Sequence, residues 1–111
     1  MVVQTRALTD DEVDAVFRAL ADRTRRDIVA RVIDAEQSVS ALAERYAMSF
    51  AAVQKHVSVL ERASLVAKRR RGREQIVTAD LAAVRRARAV LDAYEQLWRH
   101  RAAQIDALLA E

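Results

Sequence analysis

The residues of this 111-residue chain best able to do chemistry are hydrogen-bond donors and cations set along two short stretches. The first becomes visible when Val53, Val57 and Leu60 are taken as the inward stripe of a helix. Ala51, Lys55, Ser58 and Arg62 then point outward, with Gln54 beside them. A Gln amide can pair bidentately with an adenine edge, and a Lys ammonium can reach guanine or a phosphate. Phe50 and Ala51 precede them and, being apolar, suit thymine methyl groups; Phe50 could equally pack as a staple against the preceding helix. The second stretch is the run Lys68-Arg69-Arg70-Arg71-Gly72-Arg73. Alternate side chains of a strand face opposite ways, so these five cations cannot all meet one partner. Arg71 and Arg73, nearest the tip, are the best placed for phosphate or minor-groove contact. An ordinary solvated helix face and an ordinary charged hairpin would use the same residue types, so the setting has to decide.

That setting is built from helices. One Gly and no Pro in the whole sequence favour long helices with few sharp turns. Thr9-Asp10-Asp11-Glu12 is a capping box, and Val13, Val16, Phe17 and Leu20 follow at helical spacing, giving a first helix over residues 10–21. Asp22 caps a second helix whose apolar face is Ile28, Val29, Val32 and Ile33. Ser40 is expected to open a short third helix from Ala41 to about Tyr46, with Leu42 and Ala43 facing in. Ser49 then caps a fourth. Two capped helices so close together, the first of barely two turns, form a helix-turn-helix over residues 40–62, although the usual turn glycine is missing. Both serines count first as caps, and the free N–H groups at such helix starts can also hold phosphates.

Leu65-Val66 and Gln75-Ile76-Val77-Thr78 flank the only glycine, which gives a basic hairpin over residues 65–78. Asp80 caps a last helix over residues 80–110. That helix carries Val84, Ala87, Leu91, Tyr94, Trp98, Ile105 and Leu108 at steps of three and four, a heptad-like stripe, with Val90, Leu97 and Leu109 widening it. A chain this short cannot cover two such rows with its own helices. A homodimer is therefore expected, with Val13 and Phe17 of the first helix alongside Val84, Leu91, Tyr94, Trp98 and Ile105.

From Phe17 to Thr78 the sequence resembles the ArsR/SmtB family of bacterial winged helix-turn-helix regulators. The residues that carry the likeness are Leu20-Ala21-Asp22-Arg23-Thr24-Arg25-Arg26, Val39 to Ala43, Met48 to Glu61, Ala63-Ser64-Leu65-Val66 and the Arg71-Gly72-Arg73 wing. The resemblance implies a mainly α fold with a small β-hairpin wing, in the order α–α–α–α–β–β–α, and a homodimer repressing an operator. It also implies base contacts from Phe50 and Ala51, and it matches His56 to a histidine common in the recognition helix, read either as a phosphate contact or as a half-buried side chain bonded within the motif. Two positions depart from the pattern. Arg23 stands where the family often has Pro, and Ser64 where it often has Gly, so the turn after the fourth helix is expected to be built differently.

Family members that sense metals use cysteines or paired His and carboxylate ligands on the last helix. This chain has no cysteine, which also excludes disulfides and thiol switching, and its last helix offers only His100. No metal and no cofactor are expected. Tyr94, Trp98 and Arg101 resemble an aromatic-rich subgroup without metal sites, which leaves room for a small-molecule effector, although dimer core is the simpler role for both aromatics. Nothing in the sequence supports an enzyme: there is no Gly-rich phosphate loop, nucleophile motif or His–carboxylate group. The acids Asp10, Asp11, Glu12 and Asp14 are explained by the electrostatics of a helix start. With no signal-like apolar run before Thr9 and no stretch approaching ~18 uncharged apolar residues, a cytoplasmic protein without membrane contact is expected. One 1–111 domain that binds double-stranded DNA sequence-specifically, at a palindromic operator, is the leading expectation. A nonspecific nucleoid-type DNA binder and a winged-helix protein-interaction module are the alternatives.

Overall fold

The computed structural model describes residues 9–110, so both ends of the expected 1–111 unit lie outside the described residues. Helix α1 (Asp10–Leu20) begins on the capping box: the Thr9 hydroxyl accepts from the Glu12 N–H at 3.2 Å, and Glu12 reaches back to Thr9. Helix α2 (Arg23–Asp34) starts where the Asp22 carboxylate accepts from the Arg25 N–H. Its inner face is Ile28, Val29 and Val32. Ile33 was expected there too but is 51% exposed, since it falls one step past the stripe that faces the core.

A two-residue strand β1 (Gln37–Ser38) follows, then α3 (Val39–Ala43) and α4 (Phe50–Arg62). The cap of α3 is Ser38, not Ser40: its Oγ accepts from the Ala41 N–H at 3.0 Å, and Ser40 is an exposed residue inside the helix. Packing decides between the two serines. Starting at Val39 places Val39 and Leu42 three apart on one face, and both are buried. Ser49 caps α4 as expected, accepting from the Ala52 N–H at 3.1 Å. The turn between these helices contains no positive φ, so it makes no demand for glycine.

The left-handed residue comes at the end of α4. Ser64 has φ 61°, its N–H donates to the Glu61 carbonyl, and the Leu65 N–H donates to that of Leu60. This is a Schellman cap with serine at the position glycine normally takes. The turn expected to be rebuilt is therefore kept, at a steric cost of about 1–2 kcal/mol.

Strands β2 (Val66–Arg71) and β3 (Glu74–Ala79) form the hairpin, and β1 adds a third strand that was not expected, in the order β1-β3-β2, all antiparallel. Gly72 has φ 63° and Arg73 is not left-handed, the sign pattern of a type II′ two-residue turn. Because β3 is the central strand and also meets α2 and α3, Ile76 and Val77 are both buried.

Helix α5 (Leu81–Leu109) starts on Asp80, which accepts from the Ala82 N–H. Only its first turns join the core, through Ala83 and Ala87. Ala87, expected on the helix-pairing stripe, belongs instead to its own chain's interior. The core gathers Val16, Ile28, Leu42, Val53, Val57, Leu60, Leu65 and Val77, each worth about 1.5–3 kcal/mol on burial. No helix among the described residues is long and apolar enough to cross a membrane.

Candidate nucleic-acid interface

With Val53, Val57 and Leu60 at zero exposure, the other side of α4 is presented to solvent. Ser49, Phe50, Ala51, Gln54, Lys55 and Arg62 are all exposed there, and Ser58 is half-buried. Phe50 is 47% exposed and so is not sealed away as a staple. Arg62 folds back onto the Ser58 carbonyl at 3.4 Å. Ser40 is exposed on α3. The chain thus brings one contiguous polar and small-residue face to the first three turns of α4.

His56 differs from its neighbours. Its side chain is only 22% exposed, with Nδ1 3.3 Å from Arg25 Nη1 and 3.8 Å from Asp22 Oδ2. Arg25 also donates from Nε to the Ala19 carbonyl at 2.7 Å and from Nη2 to that of Arg18 at 3.0 Å. The Asp22 carboxyl is held below the usual carboxylate range, chiefly by the Arg25 backbone N–H, with the Arg25 charge adding to it.

A second polar group ties the helix-turn-helix to α2. The Tyr46 hydroxyl donates to Asp27 Oδ2 at 2.5 Å, the oxygen that also receives Arg31 Nε at 2.8 Å. The Tyr46 hydrogen bond, and after it that of Arg31, lowers the Asp27 carboxyl. Burial first, then Asp27, pushes the Tyr46 phenol up to about 12. Tyr46 lies in the turn before α4, so this contact fastens that turn to α2.

On the wing, Arg71, expected to meet phosphate or the minor groove, is exposed and paired with an acid of its own chain. Arg69 and Arg71 both reach Glu36, at 2.8 and 2.7 Å, and hold its carboxyl low, with the Arg71 hydrogen bond the larger cause. They share a face of β2 because they are two residues apart, and β1, reached directly after Glu36, brings the acid beside them. Lys68 lies 3.6 Å from Glu61, and Arg70 turns onto the Gly72 carbonyl. Arg73, exposed at the tip, has no ion pair or hydrogen bond among the described residues.

The residues expected at a dimer surface divide in two. Val13 and Phe17 are half-buried on α1, whereas Val84, Leu91, Tyr94, Trp98 and Ile105 are exposed along α5. From Leu91 to Ala110 no residue is buried, and only Ala102 is half-buried.

Comparison with known proteins fits this geometry. A helix-turn-helix domain profile matches residues 20–69. The HTH-type transcriptional regulator Rv2034 of Mycobacterium tuberculosis is 36% identical over 81 residues, spanning 73% of this chain and 76% of that protein. An ArsR-like transcriptional regulator from Rhodococcus sp. RHA1 has a solved structure that superposes with a TM-score of 0.81 at 34% identity, over 88% of this chain and 90% of that one. The chain belongs to the ArsR family. The homodimeric winged helix-turn-helix DNA-binding domain of Mb0332 from Mycobacterium bovis, at 24% identity and a TM-score of 0.63, shares the fold over 86% of this chain and 92% of its own. This ArsR-family chain is thereby placed among DNA-binding transcriptional regulators rather than with an enzyme family. Arg25, Glu36 and the Asp27–Tyr46–Arg31 group were not singled out from its sequence. Only Asp27 and Arg31, four apart on one helix, left a local signal.

Proposed function

We propose that this ArsR-family chain acts as a homodimeric repressor, each protomer placing the exposed face of α4 in the major groove of a palindromic operator. The observation that carries the reading is the division of α4 itself. One face is wholly buried, and the opposite one offers Gln54, Lys55 and Ser58 behind the small or apolar Ser49, Phe50 and Ala51. Gln54 pairs with adenine, Phe50 and Ala51 meet thymine methyl groups, and Lys55 and Arg62 reach guanine or phosphate. Arg73 provides the wing's phosphate or minor-groove contact, with Arg69 and Arg71 engaged by Glu36.

The dimer forms through the exposed row of α5, including Leu91, Tyr94, Trp98 and Ile105, with Val13 and Phe17 of α1 at its margin. The Mycobacterium bovis domain of the same fold is itself a homodimer. In that arrangement Tyr94 and Trp98 are interface core, and any small-molecule effector acts through the same helices.

The test is selection of bound genomic fragments by purified protein near physiological salt, followed by affinity measurement against scrambled DNA. A palindromic site with half-sites about one or two helical turns apart supports the reading. Weak, steeply salt-dependent binding to every fragment would leave a nonspecific nucleoid-type binder. Binding to no DNA at all would point to a protein-interaction module.

A further inference from the structure

The first turn of α2 carries Arg23, Arg25 and Arg26 and no acid, which opposes the positive end of that helix's dipole. Two of the three have a compensating task. Arg26 Nη1 donates to the Leu20 carbonyl at 2.8 Å, and Arg25 covers that of Ala19 and shares that of Arg18 with the Ala21 N–H, all in the last turn of α1. Arg25 has a third contact that this task does not require: Nη1 lies 3.3 Å from Nδ1 of His56, in the recognition helix.

A guanidinium has donors only. In a hydrogen bond between the two, Nδ1 must therefore accept, and the imidazole must carry its proton on Nε2. Asp22 Oδ2, 3.8 Å from Nδ1, is too distant to claim a proton there while it receives the Arg25 N–H at 3.0 Å. No group among the described residues accepts from Nε2. Ser49, Ala52 and His56 lie at intervals of three and four along one side of α4, so the ring sits mid-helix on the flank that leads back to the exposed cap.

We infer that Arg25 is a positioning residue for DNA binding: it fixes the His56 ring in its Nε2–H tautomer, so that Nε2–H donates to a DNA phosphate oxygen flanking α4. This rests on the operator-binding reading above. The same guanidinium grips the end of α1, so the donor is held in register with the helix that borders the proposed dimer surface.

Two measurements on the full chain test it. Long-range nitrogen–proton correlation of the imidazoles in 15N-labelled protein should show His56 with Nδ1 bare and Nε2 protonated, and Arg25→Gln should disturb that pattern while circular dichroism reports an intact fold. Affinity for the selected operator should separate two replacements of the ring. The amide nitrogen of Gln reaches the place of Nε2, and the amide of Asn reaches that of Nδ1. His56→Gln should stay within about threefold of wild type, while His56→Asn and Arg25→Gln each lose about tenfold or more, the scale of one charge-assisted hydrogen bond. A wild-type ring protonated on Nδ1 overturns the proposal. So does an Asn variant that binds as wild type while the Gln variant does not, because His56 would then serve Arg25 alone. If wild-type protein enriches no DNA site, the operator-binding reading fails and the phosphate contact with it, and a bare Nδ1 would then mark only a clasp between α1, α2 and α4.

Discussion

Helices α4 and α5 are both amphipathic, yet they meet opposite fates within one protomer. The apolar row of α4 is fully covered by α1, α2, α3 and β2, and what remains outside is polar or small. Along α5, Ala83 and Ala87 are covered and the large side chains beyond them are not: Leu91 is 54% and Trp98 68% exposed. Periodicity identifies an apolar face without saying who covers it. That depends on how much partner surface the rest of the chain can supply, and here it is used up within the first two turns of α5. One helix is finished by its own chain and faces outward with chemistry. The other faces outward with unmet hydrophobic demand.

The sharpest way to break this contrast is to charge the uncovered row. Leu91→Glu combined with Trp98→Glu should convert the dimer to a monomer in sedimentation, since four side chains worth about 1.5–3 kcal/mol each are removed from the symmetric interface. The monomer fold should survive, because neither residue touches the core. A double variant that stays dimeric would show that α5 is not what pairs. On the opposite helix, Gln54→Ala should cost about 1–3 kcal/mol at one or two operator positions and leave the fold untouched. Arg73→Ala should instead weaken all sequences alike, lowering the slope of log affinity against log salt by about 0.9. Equal, uniform losses from both would mean that α4 reads no bases.

Smaller changes probe how α4 is held. Tyr46→Phe should cost about 1 kcal/mol by removing the hydrogen bond to the half-exposed Asp27. The pH dependence has a defined sign. Asp27 is lowered from its ordinary 3.8, so its contribution is present above that value and is lost as pH falls through the lower folded value. Without Tyr46 the folded value lies nearer 3.8, so the contribution is smaller and its loss is complete at a higher pH, visible as a shallower acid limb of stability. At the alkaline end, the Tyr46 contribution is present below 10 and disappears as pH rises toward about 12, a transition the Phe variant should lack. The smallest expected effect is a gain. Ser64→Gly relieves the left-handed strain and should raise stability by about 0.5–1 kcal/mol, with operator affinity unchanged.

What could be read from the sequence follows the range of the interaction that decides each feature. Thr9 with Glu12, Asp22, Ser49 and Asp80 are caps settled within three residues of themselves, and all appear where expected. The Val53, Val57 and Leu60 row and the Gly72 turn are local in the same sense. Ser38 in place of Ser40 was decided by which start buries both Val39 and Leu42, a question of tertiary packing. Strand β1 is two residues long and pairs with Val77 and Ile76 far along the chain, so no period could reveal it. The Glu36 clamp on Arg69 and Arg71 depends on that strand. The contact between Arg25 and His56 joins residues 31 apart and follows only from the angle at which α2 crosses α4.

The single uninterrupted span of α5 has a mechanical consequence. Its root is embedded in the reading head at Ala83 and Ala87, while Leu91 to Leu109 extends about 28 Å as a stiff rod. In the proposed dimer the root becomes a pivot and the rod a ruler between two reading heads. A tilt of about 5° at the pivot moves the far end by roughly 2.5 Å, approaching the ~3.4 Å rise of one DNA base step. With no Gly or Pro inside the rod to absorb such a tilt, spacing errors between half-sites must be met at the root or not at all.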